Sequence, residues 1–153
     1  MIYVYKARRL LEVRRNGTVL LSCPVSLGFS PVGHKTREGD GRTPEGSYRI
    51  CTVNHHSRFS IALGISYPSA ADALSALRKK QIRPHTLCLI AVCELLRMRP
   101  PWRTPLGGYI MLHGESPEQK TGDWTAGCIA VSDADILKIS RLCRKGERII
   151  IEP

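Results

Sequence analysis

Asn16-Gly17 dictates backbone shape more strongly than any other dipeptide in the chain. Both central residues of a type I′ turn need positive φ, which Asn and Gly tolerate best. Apolar-rich runs lie on either side, Ile2 to Val13 and Thr18 to Val25, and together they predict a β-hairpin. A polar stretch from Gly28 to Gly46, containing GDGRTPEG, reads as loop, and Tyr48 to Val53 resumes a strand pattern. Phe59, Ile61, Leu63, Ile65 and Tyr67 then alternate with small residues, which predicts a half-buried strand.

After Pro68 the period changes from two to that of a helix. Ser69 and Asp72 form a capping-box pattern, followed by Ala70, Ala73, Leu74 and Leu77 at helical spacing. Pro84 restarts a second helix over about His85 to Met98, apolar on more than one face, which ends before Pro100-Pro101. A helical stretch of residues 69–104 is thus set between strands. Gly107-Gly108 leads into YIMLH, a strand expected to put Tyr109, Met111 and His113 on one face. Ser132 and Asp135 can cap a last helix carrying Ile136, Ile139 and Cys143, and Arg148 to Ile151 makes a final strand. The expectation is one domain over residues 1–153, with six or seven strands, mainly antiparallel, and three helices.

Charge and cysteine content narrow the function. The 23 Lys and Arg against 13 Asp and Glu give a net +10, which favours an acidic partner such as nucleic acid, anionic lipid or a carboxylate-bearing polymer. Aromatic content of 6% disfavours base stacking, so no nucleic-acid partner is expected. The most apolar run, Leu87 to Leu96, is about half of what a membrane-spanning helix needs, and the N-terminal stretch lacks the pattern of an export signal. Six cysteines without a C-x-x-C argue against a zinc ribbon, and most read as small buried hydrophobes, Cys88 and Cys93 among them. No metal or other cofactor is expected: a zinc site would need His34 or His55 brought in by folding, and His55-His56 reads as a solvated turn.

The segment LHGESPEQKTGDWTAGCIAV, Leu112 to Val131, concentrates the chemistry. An unperturbed Cys thiol is only about 3% thiolate at pH 7, and a neighbouring imidazole can take its proton. His113 stands at the end of a strand, and Cys128 follows Gly127, whose lack of a side chain leaves room for a substrate. Backbone N–H groups of Gly127 and Cys128 are candidate oxyanion donors. Asp123 can pair with an arginine or cap its loop. Trp124 can wall a cleft or anchor the loop, and Arg42 and Thr43 shape the GDGRTPEG turn.

LHG followed by DWTAGCIAV resembles the L,D-transpeptidase (YkuD-type) catalytic domain, which carries His-Gly and then Ser/Thr-x-Gly-Cys. GDGRTPEG and ISYP agree with it in order, and DWTAGCIA is similar to the branch that includes a hydrolase releasing a lipoprotein from peptidoglycan. The resemblance implies a β-sandwich-like fold with short helices, residues 69–104 being a helical insertion. It implies a Cys acyl-enzyme acting on peptidoglycan peptide stems and a place in the cell envelope or periplasm. Carried over, Cys128 is the nucleophile, His113 the base, and the Gly114 carbonyl orients the imidazole, with Tyr109, Asp123, Trp124 and Thr125 near the substrate. The commonest family pattern has Arg or Asn soon after the Gly-Cys pair, where this chain has Ala130. Transpeptidation giving 3–3 crosslinks, hydrolysis as a carboxypeptidase or amidase, and non-catalytic wall binding all stay open, as does the oligomeric state.

Overall fold

The computed structural model describes every residue except Pro117 and Gln119. The Asn16-Gly17 hairpin joins strand β2 (Leu10–Arg15) to β3 (Thr18–Pro24), with Asn16 at φ 50° and Gly17 at φ 80°. The run Ile2 to Val13, expected as one strand, is broken into β1 (Ile2–Tyr5) and β2. No Gly or Pro marks that break. Its cause is tertiary: the buried Lys6 side chain donates to the Gly33 and Thr43 carbonyls and to Glu45, and Arg9, at φ 49°, pairs with Asp123.

The remaining strands are β4 (Gly46–Ser57), β5 (Ser60–Ile65), β6 (Met111–His113), β7 (Ile129–Ala130) and β8 (Arg148–Glu152). They form one sheet in the order β3-β2-β1-β8-β4-β5-β6-β7. Pairing is antiparallel except between β1 and β8 and between β6 and β7. β4 serves both halves. Gly46–Arg49 pair with β8, and the strand from Ile50 onward pairs with β5, with register shifts that let it bend. The sheet curls until its two ends meet, where Ser26 and Ala130 exchange backbone hydrogen bonds of 2.8 and 2.9 Å. Ile2, Val4, Leu11, Ile50, Leu63, Ile65, Leu112, Ile129 and Ile149 fill the space between the inner faces.

Two helices, α1 (Ala70–Arg78) and α2 (Pro84–Leu95), lie between β5 and β6 in sequence and pack on each other. The Ser69–Asp72 capping box is present, and Ala73 and Ala76 enter the core. α3 (Asp133–Leu142), capped by Ser132 through the Asp135 N–H, buries Ile136 and Ile139 against β5 and β6.

Several expectations need correction. Among the described residues the strands number eight, because the first run divides and the two-residue β7 is added. His55 and His56 are not in a turn: they are exposed residues of the long β4, whose turn comes at Arg58 and Phe59. Between Ser60 and Ile65 both faces are covered, not one: on the small-residue side Thr52, Trp102 and Met111 close over Gly64. Tyr109 lies outside β6 with φ 56°, so it does not share a strand face with Met111 and His113. α2 ends three residues earlier than expected, and Cys88 on it is exposed while Cys93 is buried.

Candidate active site

Parallel pairing of β6 with β7 sets Leu112 opposite Ile129 and His113 opposite Ala130. Facing residues of neighbouring strands project to the same side, so Cys128, just before β7, emerges beside Met111 on the face that carries His113. The contact between β6 and Cys128 is direct: the Met111 N–H donates to Cys128 Sγ at 3.4 Å, and Sγ lies 3.5 Å from the Tyr109 carbonyl.

His113 is 3% exposed, and its Nδ1 lies 2.7 Å from the Gly114 carbonyl. A carbonyl has no proton to give, so Nδ1 carries the hydrogen and the neutral ring presents the lone pair of Nε2. Phe59 stacks on the imidazole at 4.5 Å between centroids, and Trp124 meets it edge-on at 5.7 Å. Gly114 admits no side chain, because a Cβ there would strike Asp133 Oδ1 and come within 2.7 Å of the Phe59 carbonyl. That carbonyl also accepts the Gly114 N–H at 3.0 Å. The peptide that orients the imidazole is thus fixed from both sides.

The turn before Cys128 is tied by Thr125, 3% exposed, whose hydroxyl donates to the Cys128 carbonyl at 2.8 Å and accepts from the Gly127 N–H at 3.1 Å. Of the two expected oxyanion donors, Gly127 is therefore already engaged, whereas the Cys128 N–H meets no backbone acceptor among the described residues. Gly127 holds φ 130°, and a Cβ on it would press on the Arg42 carbonyl at 2.7 Å. Both carboxylate oxygens of Asp123 accept from Arg9, and Oδ1 also takes the Leu27 N–H at 2.9 Å. This latches the Asp123–Cys128 loop to the N-terminal strands. Trp124 and Ala130 line an open cavity of about 520 Å³ with Ser26, Ser116, Lys120 and Ser132. Tyr109 is 48% exposed and rests on Trp102 at 4.8 Å.

Burial disfavours the charged form of both side chains. Burial holds the His113 imidazole below its ordinary value, against the opposing Gly114 hydrogen bond. Burial likewise pushes the Cys128 thiol up, offset in part by the Met111 N–H and the positive field of Lys35. Both shifts favour the uncharged forms, a thiol and a neutral imidazole. Cys23, Cys51 and Cys143 are buried thiols pushed up to about 11 by desolvation.

Phe59, Asp40 and Lys35 belong to this neighbourhood but did not stand out in the sequence. Asp40 accepts from the N–H groups of Thr36, Arg37 and Arg42 and from Lys35 Nζ, which builds the loop beneath Gly127. Its signal was the acidic residue inside GDGRTPEG, the kind that folds a loop over its own backbone. Thr43, fully buried, accepts the Gly28 N–H and lies 3.5 Å from the Cys128 carbonyl, consistent with the shaping expected of it. His34 is occupied elsewhere: Nδ1 accepts the Glu45 N–H at 2.9 Å, and Nε2 lies 3.0 Å from Asp72. Among the described residues no three His, Cys, Asp or Glu side chains gather as a metal site, and no helix is long and apolar enough to cross a membrane.

The family model described as YkuD, L,D-transpeptidase catalytic domain, matches residues 1–151. No curated protein sequence matches significantly. Among solved structures, the helical cell shape determining protein Pgp2 from Campylobacter jejuni superposes with a TM-score of 0.69 at 19% identity, covering 99% of this chain and 46% of that one. Bd1075 from Bdellovibrio bacteriovorus gives 0.64 at 23% identity, with 99% and 46% covered. An L,D-transpeptidase from Xylanimonas cellulosilytica gives 0.53 at 18% identity, with 98% and 58% covered. The chain thus spans about half the length of the structures it matches, and at these identities the likeness is one of fold.

Proposed function

Because the chain belongs to the YkuD family of L,D-transpeptidase catalytic domains, we propose that it is a cysteine acyltransferase acting on peptidoglycan peptide stems. The observation that carries this reading is the Nδ1 bond of His113 to the Gly114 carbonyl, which leaves Nε2 as a free base on the face where Cys128 emerges. Nε2 takes the thiol proton as sulfur attacks the carbonyl after the third stem residue. The tetrahedral oxyanion is met by the Cys128 N–H. The C–N bond breaks, the departing amine of the terminal D-amino acid takes the proton from the imidazolium, and a thioester remains. An acceptor amine then attacks the thioester, loses its proton to Nε2, and regenerates the thiol as a 3–3 crosslink forms.

On the same reading, residues 1–153 are one catalytic domain acting in the cell envelope, and residues 69–104 are inserted in it. Trp124 walls the cleft, Tyr109 borders it from the other side, and Thr125 and Asp123 hold its floor. The solved relative named for cell shape agrees with a wall-directed role.

Mass spectrometry of muropeptides with tetrapeptide stems, incubated with wild type and with Cys128→Ala, tests this. Dimers that require Cys128 are expected. Trimmed stems without dimers would make the same site a hydrolase with water as acceptor. No Cys128-dependent change would overturn the enzymatic reading in favour of wall binding.

A further inference from the structure

Arg49 and Arg148 face each other as direct partners in the β4–β8 ladder. Like charges in that position repel and weaken a sheet. Neither forms an ion pair among the described residues, and Arg49 reaches only the Gly146 carbonyl, at 3.4 Å. Both line a cavity of about 320 Å³ between the end of α2 and the start of β8, whose wall also carries Arg97 and Lys145. These two likewise form no ion pair among the described residues. The acidic residue in that wall, Glu94, accepts the Ala70 N–H at 2.6 Å, so its charge already serves the N-terminal end of α1. Four cationic residues therefore line one cavity, with little compensation among the described residues.

We propose that this cavity binds a phosphate-bearing anion, at a place separate from Cys128. Its lining includes none of Cys128, His113, Trp124 or Thr125. The convergent charge exceeds what a single carboxylate would neutralise, and a phosphate dianion answers it better. Paired guanidiniums suit phosphate oxygens because each presents a planar fork of N–H donors. The volume stands at the lower end of ordinary ligand pockets, roughly 300–1,000 Å³. That space suits a phosphate monoester of sugar size, free in solution, or a phosphodiester polymer in which a neighbouring unit supplies the second charge. The site does not depend on the acyl-transfer reading, and it gives the cross-strand arginine pair a purpose other than stability.

The test is isothermal titration of the full chain with inorganic phosphate, glycerol 3-phosphate and a glycerol phosphodiester polymer, in chloride at matched ionic strength. Saturable binding of one phosphate group per chain is expected, weakened at least tenfold in Arg148→Gln and in Lys145→Gln. Without phosphate, relief of the ladder repulsion should leave the Arg148→Gln Tm equal to or about 2 °C above that of wild type. Binding that fails to saturate, or that survives unchanged in both variants, overturns the proposal. So does a Tm rise with phosphate that is the same in wild type and Arg148→Gln, since that would be a general salt effect. If the polymer binds more tightly per phosphate than the monoester, the natural source is a polymer; the reverse order points to a free ester.

Discussion

The fold holds two imidazoles in opposite ways. In the loop before β4, His34 spends both nitrogens: Nδ1 accepts from the Glu45 backbone, and Nε2 bonds the Asp72 carboxylate. At the β6–β7 corner, His113 spends one, on the Gly114 carbonyl, and keeps the other. His34 thereby ties a loop to the first turn of α1, where Asp72 also serves the capping box. His113 is positioned by the same kind of bond yet remains able to move a proton. What separates the two imidazoles is the nitrogen left over at His113, together with the burial that favours its neutral form.

The comparison breaks most sharply by substitution. His113→Gln should lower kcat/KM for stem peptides by about 10²–10⁴, the usual worth of a general base, with the circular dichroism spectrum unchanged. His34→Gln should leave kcat/KM within a few-fold. An equal loss in both variants would dissolve the distinction.

The pH profile sharpens it. The neutral imidazole is the working form and burial lowers its pKa, so the acid limb of kcat/KM should fall below pH 6.5. The raised Cys128 thiol predicts alkylation at pH 7 no faster than free cysteine. Rapid alkylation at pH 6 would instead reveal a resting ion pair. Slow alkylation by itself is thus no mark against catalysis.

Gly114→Ala forces a Cβ against the Phe59 carbonyl and Asp133. A cost of about 1–3 kcal/mol is expected, lowering Tm by several degrees, with a fall in kcat as the orienting carbonyl shifts. The smallest effect belongs to His34→Gln, about 1–2 kcal/mol for the lost loop bonds, read as a Tm shift in thermal melts. If His34→Gln proved the more damaging to activity, the α1 side of the molecule would have to communicate with Cys128.

Much of this was legible in order along the chain. Asn16-Gly17 announced its turn, Ser69 with Asp72 and Ser132 with Asp135 announced two helix starts, and the Leu112 to Val131 segment held both candidate residues, His113 and Cys128. These are local signals: each depends on residues within a few positions of one another. The turn at Lys6–Arg9 was invisible because its cause lies in Gly33, Thr43, Glu45 and Asp123, all distant in sequence. Phe59 passed as one more apolar residue of an alternating strand, since nothing near it shows that β5 will deliver it onto His113.

By itself the amino-acid sequence determined which residues are candidates for the chemistry, where most elements begin, and that the core would be mainly β. Tertiary structure alone decided that the sheet curls until Ser26 meets Ala130, and that β6 and β7 run parallel so that thiol and imidazole share a face. It also decided which histidine keeps a free nitrogen and which thiol meets the Met111 N–H. The physical reason is range. Caps and turns are settled by bonds a few residues long, whereas protonation state and reach depend on burial and on partners that only the folded chain brings together.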